Sequence, residues 1–274
     1  ACRRRRVSFF GALKLSEERK RQNMTLEEFF HAAPRAAVAF SGGTDSAFLL
    51  WAAKRYGCDV HAYYVKTAFQ PEFEFQDARR LAEDLGIPMT VIRTDILTVP
   101  EAAANGPKRC YYCKKALFTR IWQTVREDGH TLLLDGTNAS DDAGDRPGMQ
   151  ALKELEVRSP LRECGIAKAE VRRRSKEAGL FTWDKPAYAC LATRIPAGMQ
   201  ITAEDLERVG RAEMLLEGMG FTDFRVRLLA EGARLQFTEG QLPQAVEKRK
   251  EICSLLIPLF PAVLLDLEAR EPSA

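Results

Sequence analysis

The chain has 274 residues, of which 46% are hydrophobic and 29% charged, a balance typical of a globular protein with a core of ordinary size. Its longest apolar run, at residues 257–265, contains two prolines and is far shorter than the roughly 20 residues that span a bilayer, so the sequence predicts no membrane span. The net charge of +3 comes from the first 23 residues, which contribute +6 and which we interpret as a disordered basic extension; the remainder sums to −3, which disfavours nucleic acid as a partner.

Along the first part of the chain, short β-rich apolar runs alternate with amphipathic segments. The pattern predicts strands at residues 36–40, 60–65, 89–93 and 131–135, separated by helices at residues 45–56, 72–85 and 114–128. An earlier helix is indicated by Thr25 and Glu28, whose spacing is that of a capping box. This alternation is typical of α/β proteins, so we expect a doubly wound parallel sheet with right-handed crossovers in a domain at residues 24–198.

The pattern changes towards the end of the chain. After a basic helix at residues 167–178 and a loop at residues 183–198, it predicts a helix at 202–217, strands at 224–229 and 233–237, a helix at 242–256 and a strand at 262–267. This order predicts a smaller α+β domain at residues 199–274, which we interpret as a substrate-binding or oligomerisation domain. Helical faces often pack between copies of such enzymes, so we also expect a homo-oligomer.

A glycine-rich segment, SGGTDS at residues 41–46, lies between the first predicted strand and the helix that follows. Its backbone N–H groups and the helix N-terminus converge on one point, an arrangement that binds phosphate. Gly42 and Gly43 allow the backbone to approach a ligand closely. Ser41 and Ser46 add hydroxyl donors, and Asp45 is placed to hold Mg2+ or to cap the helix. No lysine follows the glycines, so the segment is not a Walker A loop.

The hexapeptide resembles the PP-loop of the ATP pyrophosphatase superfamily. Enzymes of that superfamily cleave ATP between the α and β phosphates and adenylate an oxygen of the substrate, so the resemblance implies ATP and Mg2+ as cofactors. A second segment, at the end of the fourth predicted strand, resembles the superfamily's other nucleotide-binding segment and lies at the sheet edge where doubly wound folds bind ligands. It comprises Asp135, Gly136, Thr137 and Asn138, with either Asp141 or Asp142.

The seven cysteines are an odd number, and no secretory signal opens the chain, which favours free thiols in a reducing cytoplasm over a disulfide framework. Cys110 and Cys113 have basic neighbours and lead into a predicted helix, features that stabilise thiolates. Their spacing leaves three interpretations open: a redox pair, part of a zinc site and part of an iron–sulfur site. Cys190 is the best candidate for a third ligand or a lone nucleophile. We interpret three others as small buried packing residues: Cys58, Cys164 and Cys253.

Several segments together resemble one family of PP-loop enzymes, the LarE sulfur transferases that make the nickel-pincer nucleotide cofactor. They lie at residues 41–46, 109–114, 136–154, 159–161, 185–198 and 224–227. The resemblance implies that ATP adenylates a carboxylate of pyridinium-3,5-dicarboxylate mononucleotide and that pyrophosphate leaves. A sulfur nucleophile then displaces AMP to give a thiocarboxylate.

Two versions of this family differ in the source of the sulfur. In one, a single cysteine at the position of Cys190 gives up its own sulfur atom. In the other, three cysteines hold a 4Fe-4S cluster that delivers sulfide from a separate donor. Because Cys110, Cys113 and Cys190 are all present, the resemblance implies the cluster version, with these three residues as cluster ligands and catalytic groups.

Four charged residues are candidates for substrate binding. Arg225 and Arg227 are two apart on a predicted strand, so we expect both side chains on one face, where two guanidinium groups suit a phosphate or carboxylate. Arg194 and Glu213 are candidates through the resemblance. Two other functions stay open: a PP-loop tRNA thiolase with the same cluster, and a nucleotide-binding module in which the three cysteines hold zinc.

Overall fold

The computed structural model describes residues 24–141 and 147–271. The basic extension at residues 1–23 therefore lies outside the described residues, and so do residues 142–146 of the segment that resembles the LarE family. The strands are β1 (Arg35–Ala39), β2 (Asp59–Lys66), β3 (Met89–Arg93), β4 (Leu133–Leu134), β5 (Arg225–Leu229), β6 (Gly232–Gln236) and β7 (Val263–Leu265). The α-helices are α1 (Leu26–Ala32), α2 (Thr44–Arg55), α3 (Glu72–Leu85), α4 (Pro100–Ala103), α5 (Arg109–Glu127), α6 (Pro147–Glu154), α7 (Pro160–Glu163), α8 (Lys168–Glu177), α9 (Ala203–Gly218), α10 (Leu242–Glu247) and α11 (Arg249–Leu256). No helix in these ranges is both long and apolar enough to cross a bilayer.

Strands β1 to β4 form a parallel sheet in the order β3-β2-β1-β4, which confirms the predicted α/β fold. Side chains alternate between its faces: Ala36 and Val38 pack against α1, α2, α3 and α8, whereas Ala37 and Tyr63 pack against α5 and α6. Helices therefore cover both faces of the sheet. The carboxyl ends of β1 and β4 meet at one edge, next to the N-terminus of α2.

Several elements differ from the prediction, among them the short helices α4 and α7, which the pattern does not predict. Helix α5 begins at Arg109 rather than at residue 114, because nothing after Pro107 interrupts a helix, so the CxxC pair lies inside its first two turns. No helix is predicted where α6 forms, although Pro147 suits the first position of a helix. The predicted helix at residues 242–256 is divided at Lys248, whose backbone (φ −83°, ψ 9°) leaves helical geometry.

Strands β5, β6 and β7 form a second, smaller sheet in which β6 pairs antiparallel with β5 and parallel with β7. Val226 and Leu228 on β5 pack with Val209 on α9 in a second hydrophobic core. The same core includes Leu191 and Ile195 from the predicted loop. This second core therefore contains residues from both sides of position 198. The predicted domain boundary at that position stays a prediction.

A buried ion pair joins the loop at residues 187–196 to α9. The guanidinium of Arg194 is 1% exposed and donates to both carboxylate oxygens of Glu213, at 2.8 and 3.1 Å. Glu213 also accepts hydrogen bonds from the backbone N–H of Val226 at 2.9 Å and from the hydroxyl of Tyr188. One carboxylate thus holds together a helix, a strand and a loop.

The end of β4 touches the start of α2 at Gly136. A Cβ atom on Gly136 would lie 2.7 Å from Ser46 N and 2.9 Å from Ser46 Cα, closer than such atoms can approach. Glycine is therefore required if the segment after β4 is to lie against the phosphate-binding loop.

Replacing Glu213 by Gln leaves the buried Arg194 charge without its counter-ion, so we expect the free energy of unfolding to fall by about 3–5 kcal/mol. Urea denaturation of the full chain measures this change. The control is Glu83→Gln, which breaks an exposed pair with Arg79 and should alter the free energy of unfolding by less than about 0.5 kcal/mol. Equal losses in the two variants would contradict the structural role of the buried pair.

Replacing Gly136 by Ala forces the β4 segment and α2 apart, and we expect it to lower the free energy of unfolding by about 1–3 kcal/mol. Gly106→Ala is the matched control, because the added Cβ there meets no atom within 4 Å. Urea denaturation should show the control unchanged or slightly stabilised. The close approach would be refuted by a Gly136→Ala variant as stable as the control.

Candidate active site

The phosphate-binding loop of residues 41–46 leads from β1 into the first turn of α2. Gly42 has a left-handed backbone (φ 78°), and a Cβ atom there would lie 3.0 Å from the carbonyl oxygen of Glu74. Gly43 is the N-cap of α2 and supplies no side-chain acceptor, so the first N–H groups of the helix lack helical partners. The hydroxyls of Ser41 and Ser46 lie 3.1 Å apart and close the loop. This arrangement suits an anion at the helix N-terminus.

Asp45 lies in the first turn of α2, and because the N-cap is Gly43 its predicted alternative role as the cap is wrong. Its Oδ2 accepts a hydrogen bond from the Lys168 ammonium at 2.7 Å. Its Oδ1 is buried and has no hydrogen-bond partner among the described residues. A carboxylate with an unpaired, buried oxygen beside a phosphate-binding loop fits a divalent cation such as Mg2+.

The segment after β4 is held in shape by its own side chains. Asp135 is buried and accepts hydrogen bonds from the hydroxyls of Ser159 and Thr137, each at 2.5 Å. Burial raises the pKa of the Asp135 carboxyl. Asn138 is also buried, and its backbone N–H donates to the Asp141 carboxylate at 3.0 Å. The predicted contact of Gly136, Thr137 and Asn138 with a nucleotide stays a prediction.

The three cysteines that the sequence singles out lie close together. Helix α5 carries Cys110 and Cys113 in its first two turns, and a 3-10 helix, Leu191–Arg194, follows Cys190. The charges of Cys190 and Cys110 both raise the pKa of Cys113, so the three sulfur atoms are within electrostatic reach of one another. Cys110 is exposed, and the other two are half-buried against the second core.

The basic neighbours of Cys113 favour its thiolate, as predicted, but burial has a larger and opposite effect on its pKa. Burial raises the pKa of the Cys113 thiol to about 12 and outweighs the opposing charges of Arg109 and Lys114. Burial also raises the pKa of Cys190, against the charge of Arg109. Both thiols are therefore protonated at neutral pH unless a metal ion displaces the proton.

The loop that carries Cys190 has little regular structure, and arginine side chains bind its carbonyl oxygens. These bonds run from Arg225 to Ala187 at 2.9 Å, from Arg194 to Ala189 at 2.9 Å, from Arg109 to Ala192 at 3.1 Å and from Arg227 to Thr193 at 2.5 Å. They supply donors for the carbonyls of Ala187, Ala189 and Thr193 and a second donor for that of Ala192, which also accepts from the backbone N–H of Ile195 at 3.4 Å.

Asn105 connects the same loop to the CxxC helix. It is 2% exposed and has a left-handed backbone (φ 55°). Its side-chain amide donates to the carbonyls of Ile195 and Pro196, at 3.3 and 2.8 Å. Its Oδ1 accepts from Arg109, whose Nη2 lies 3.9 Å from the sulfur of Cys110. Asn105 and Arg109 together set the position of the Cys190 loop relative to Cys110.

The predicted substrate-binding residues lie together, but their polar groups are directed at protein. Arg194 and Glu213 bind each other, and Arg225 and Arg227 bind loop carbonyls. Burial, followed by the charge of Arg194, lowers the pKa of both strand arginines, that of Arg225 to about 10. Clustered guanidinium groups with lowered pKa values favour a nearby anion. Their contact with a substrate stays a prediction.

The remaining described cysteines lie elsewhere. Burial raises the pKa values of Cys58 and Cys164, each to about 11, in keeping with packing residues. The prediction that Cys253 is buried is wrong, because α11 buries Ile252 and Leu256 and leaves Cys253 exposed. Across residues 24–141 and 147–271, no three His, Cys, Asp or Glu side chains are arranged to hold a single metal ion.

The sequence analysis misses three residues of this region: Lys168, Asn105 and Tyr188. Each acts through a partner distant in the chain, namely Asp45, Ile195 and Glu213. Only Asn105 carries a local signal, since asparagine tolerates the left-handed backbone and a Gly-Pro pair follows it.

Comparison with known proteins identifies a family model and several relatives of this chain. The family described as queuosine biosynthesis protein QueC matches residues 35–105, which include the phosphate-binding loop. An uncharacterised protein of Synechocystis sp. is 39% identical over 225 residues, 81% of this chain and 83% of the relative. The tRNA-specific 2-thiouridylase MnmA of Beijerinckia indica is 26% identical over 66% of this chain and 53% of its own length.

The name of a further relative states what that enzyme makes. The pyridinium-3,5-bisthiocarboxylic acid mononucleotide synthase of Lactiplantibacillus plantarum is 34% identical over 210 residues, which is 76% of each chain. With the parallel sheet and the PP-loop, these relatives identify a sulfur-transferring enzyme of the PP-loop type. The chain belongs to the LarE family of PP-loop sulfur transferases.

Proposed function

We propose that this enzyme uses ATP to activate a carboxylate of pyridinium-3,5-dicarboxylate mononucleotide and replaces a carboxylate oxygen by sulfur. The observation that carries the proposal is the position of the CxxC pair at the start of α5, whose Phe118 packs with Ala39 at the end of β1, just before the phosphate-binding loop. A single cation, Lys114, acts electrostatically on both Asp135 after β4 and Cys113 on α5. ATP chemistry and sulfur chemistry can therefore take place on one substrate group.

In the first step, a carboxylate oxygen of the substrate attacks the α-phosphorus of ATP. The bond from that phosphorus to the bridging oxygen breaks, and pyrophosphate leaves with the electron pair. The free N–H groups at the start of α2 bind the departing phosphates. Asp45, whose Oδ1 is unpaired, would hold the Mg2+ that accompanies ATP, while Lys168 fixes the other carboxylate oxygen.

In the second step, the sulfur of a hydrosulfide ion from an external donor attacks the acyl carbon. The bond from that carbon to the AMP oxygen breaks and AMP leaves with the electron pair; the S–H proton passes to water, and a thiocarboxylate remains. The clustered guanidinium groups of Arg225 and Arg227, whose pKa values are lowered, suit the phosphate of the mononucleotide.

Cys110, Cys113 and Cys190 would hold a 4Fe-4S cluster in this enzyme. The three thiols fit it because each cysteine binds a different iron, so they need not converge on one ion, and metal binding displaces the protons that burial retains. When bound, such a cluster leaves one iron without a protein ligand, where an exogenous hydrosulfide can bind.

Anaerobic iron and sulfide analysis tests the cluster. After reconstitution with iron and sulfide we expect about four iron atoms per chain, and loss of bound iron in Cys110→Ala, Cys113→Ala and Cys190→Ala. The control is Cys253→Ala, whose exposed thiol lies on α11, and it should bind iron as the wild type does. An iron-free wild type that turns over once and loses the elements of hydrogen sulfide from Cys190 would instead support the sacrificial version.

Pyrophosphate release separates the proposal from its two alternatives. With MgATP, sulfide and the mononucleotide, we expect pyrophosphate and thiocarboxylate groups to form in equal amounts over many turnovers, measured by a coupled phosphate assay and mass spectrometry. Release that requires tRNA in place of the mononucleotide would favour the tRNA thiolase, which has less support because the alignment covers 53% of MnmA. No release with either substrate would favour the nucleotide-binding module.

A further inference from the structure

Lys114 lies between the nucleotide edge and the cysteines without a polar partner. It is half-buried on α5, directly after Cys113 and one turn beyond Cys110. Among the described residues, no hydrogen bond or ion pair engages its ammonium group. Its neighbour Lys115, in contrast, is exposed and paired with Glu154 at 3.0 Å.

The side chain of Lys114 is held in place by the start of α6. A Cβ atom on Gly148 would lie 2.8 Å from Cδ and 3.2 Å from Cε of Lys114, so the lysine runs directly over the glycine. Packing of the methylene groups against buried backbone restricts the rotamers of the chain and gives the ammonium group a defined position.

Lys114 lies at the carboxyl edge of the sheet, because Phe118, one turn after it on α5, packs in the same core as Ala39 and Val65 near the ends of β1 and β2. The charge of Lys114 lowers the pKa of the Asp135 carboxyl and that of the Cys113 thiol, in each case against the larger effect of burial. The ammonium group is thus near both the nucleotide edge and the cysteines. The reacting carboxylate must occupy the same region, because its oxygen bonds to the α-phosphorus and its carbon then accepts sulfur.

We propose that Lys114 binds the substrate carboxylate that is adenylated. The ammonium group would place a carboxylate oxygen beside the α-phosphorus and reduce its repulsion from the triphosphate. It would also stabilise the negative charge that develops on the acyl oxygen when sulfur attacks. No covalent bond to Lys114 forms, and Lys114 keeps its proton throughout. The assignment rests on the proposed function and adds a catalytic residue to it.

The test compares Lys114→Met with the matched variant Lys115→Met in steady-state pyrophosphate release. For Lys114→Met we expect a rise of about tenfold or more in KM for the mononucleotide and a loss of about 10²–10³-fold in kcat/KM. Lys115→Met should stay within about twofold of the wild type, since an exposed ion pair contributes little. Lys114→Arg keeps the charge and should recover part of the loss.

Measuring MgATP binding in the absence of the mononucleotide distinguishes a contact of Lys114 with the substrate carboxylate from a contact with ATP. By calorimetry, MgATP should bind wild type and Lys114→Met with affinities within about twofold, because only the carboxylate contact is removed. Unchanged kinetic constants in Lys114→Met would overturn the assignment, and so would a loss of ATP affinity as large as the loss in kcat/KM. If Lys114→Met does not fold, Lys114→Gln is subject to the same criteria. A wild type that releases no pyrophosphate with the mononucleotide would refute the proposed function itself.

Discussion

The arrangement of the site depends on hydrogen bonds from arginine side chains to the carbonyl groups of the loop at residues 187–196. In the single 3-10 turn of this loop, backbone N–H groups bind the carbonyls of Cys190 and Ala192, and arginine side chains bind the carbonyls of Ala187, Ala189, Ala192 and Thr193. Arg109 reaches it from α5, Arg194 from within the loop, and Arg225 and Arg227 from β5. Each such charge-assisted bond contributes on the order of 1.5–3 kcal/mol. Cys190 is therefore positioned by side chains of α5 and β5 together with Arg194 of its own loop.

The same loop is joined to the nucleotide side of the molecule. The backbone N–H of Leu191 donates to the carbonyl of Phe69, just after β2, at 2.9 Å. Before the loop, Lys185 pairs with Asp77 on α3 at 2.7 Å. Helix α3 also packs against Gly42 of the phosphate-binding loop. Because α3 contacts both segments, the phosphate-binding loop and the Cys190 loop pack against the same helix.

The features that the sequence predicts are those that depend on short-range chemistry. The PP-loop, the strand and helix alternation and the CxxC pair each lie within a few residues, and the structure contains all three. The pKa of Cys113 could not be predicted this way, because its basic neighbours are visible in the sequence and the burial that outweighs them is not. Likewise, the pattern places Arg225 and Arg227 on one strand face, but their carbonyl partners lie more than 30 residues away.

At this site the surroundings disfavour negative charge on two cysteines and positive charge on two neighbouring arginines. Burial opposes negative charge on Cys113 and Cys190, whereas burial and like charges oppose positive charge on Arg225 and Arg227. A metal ion relieves the first condition and an anion relieves the second. Burial lowers the pKa of Arg225 to about 10, so its guanidinium is still charged at neutral pH and an anion would bind there without proton uptake. The loop carbonyls hold Arg225 and Arg227 in place before any anion binds, which would lessen the reorganisation that binding requires.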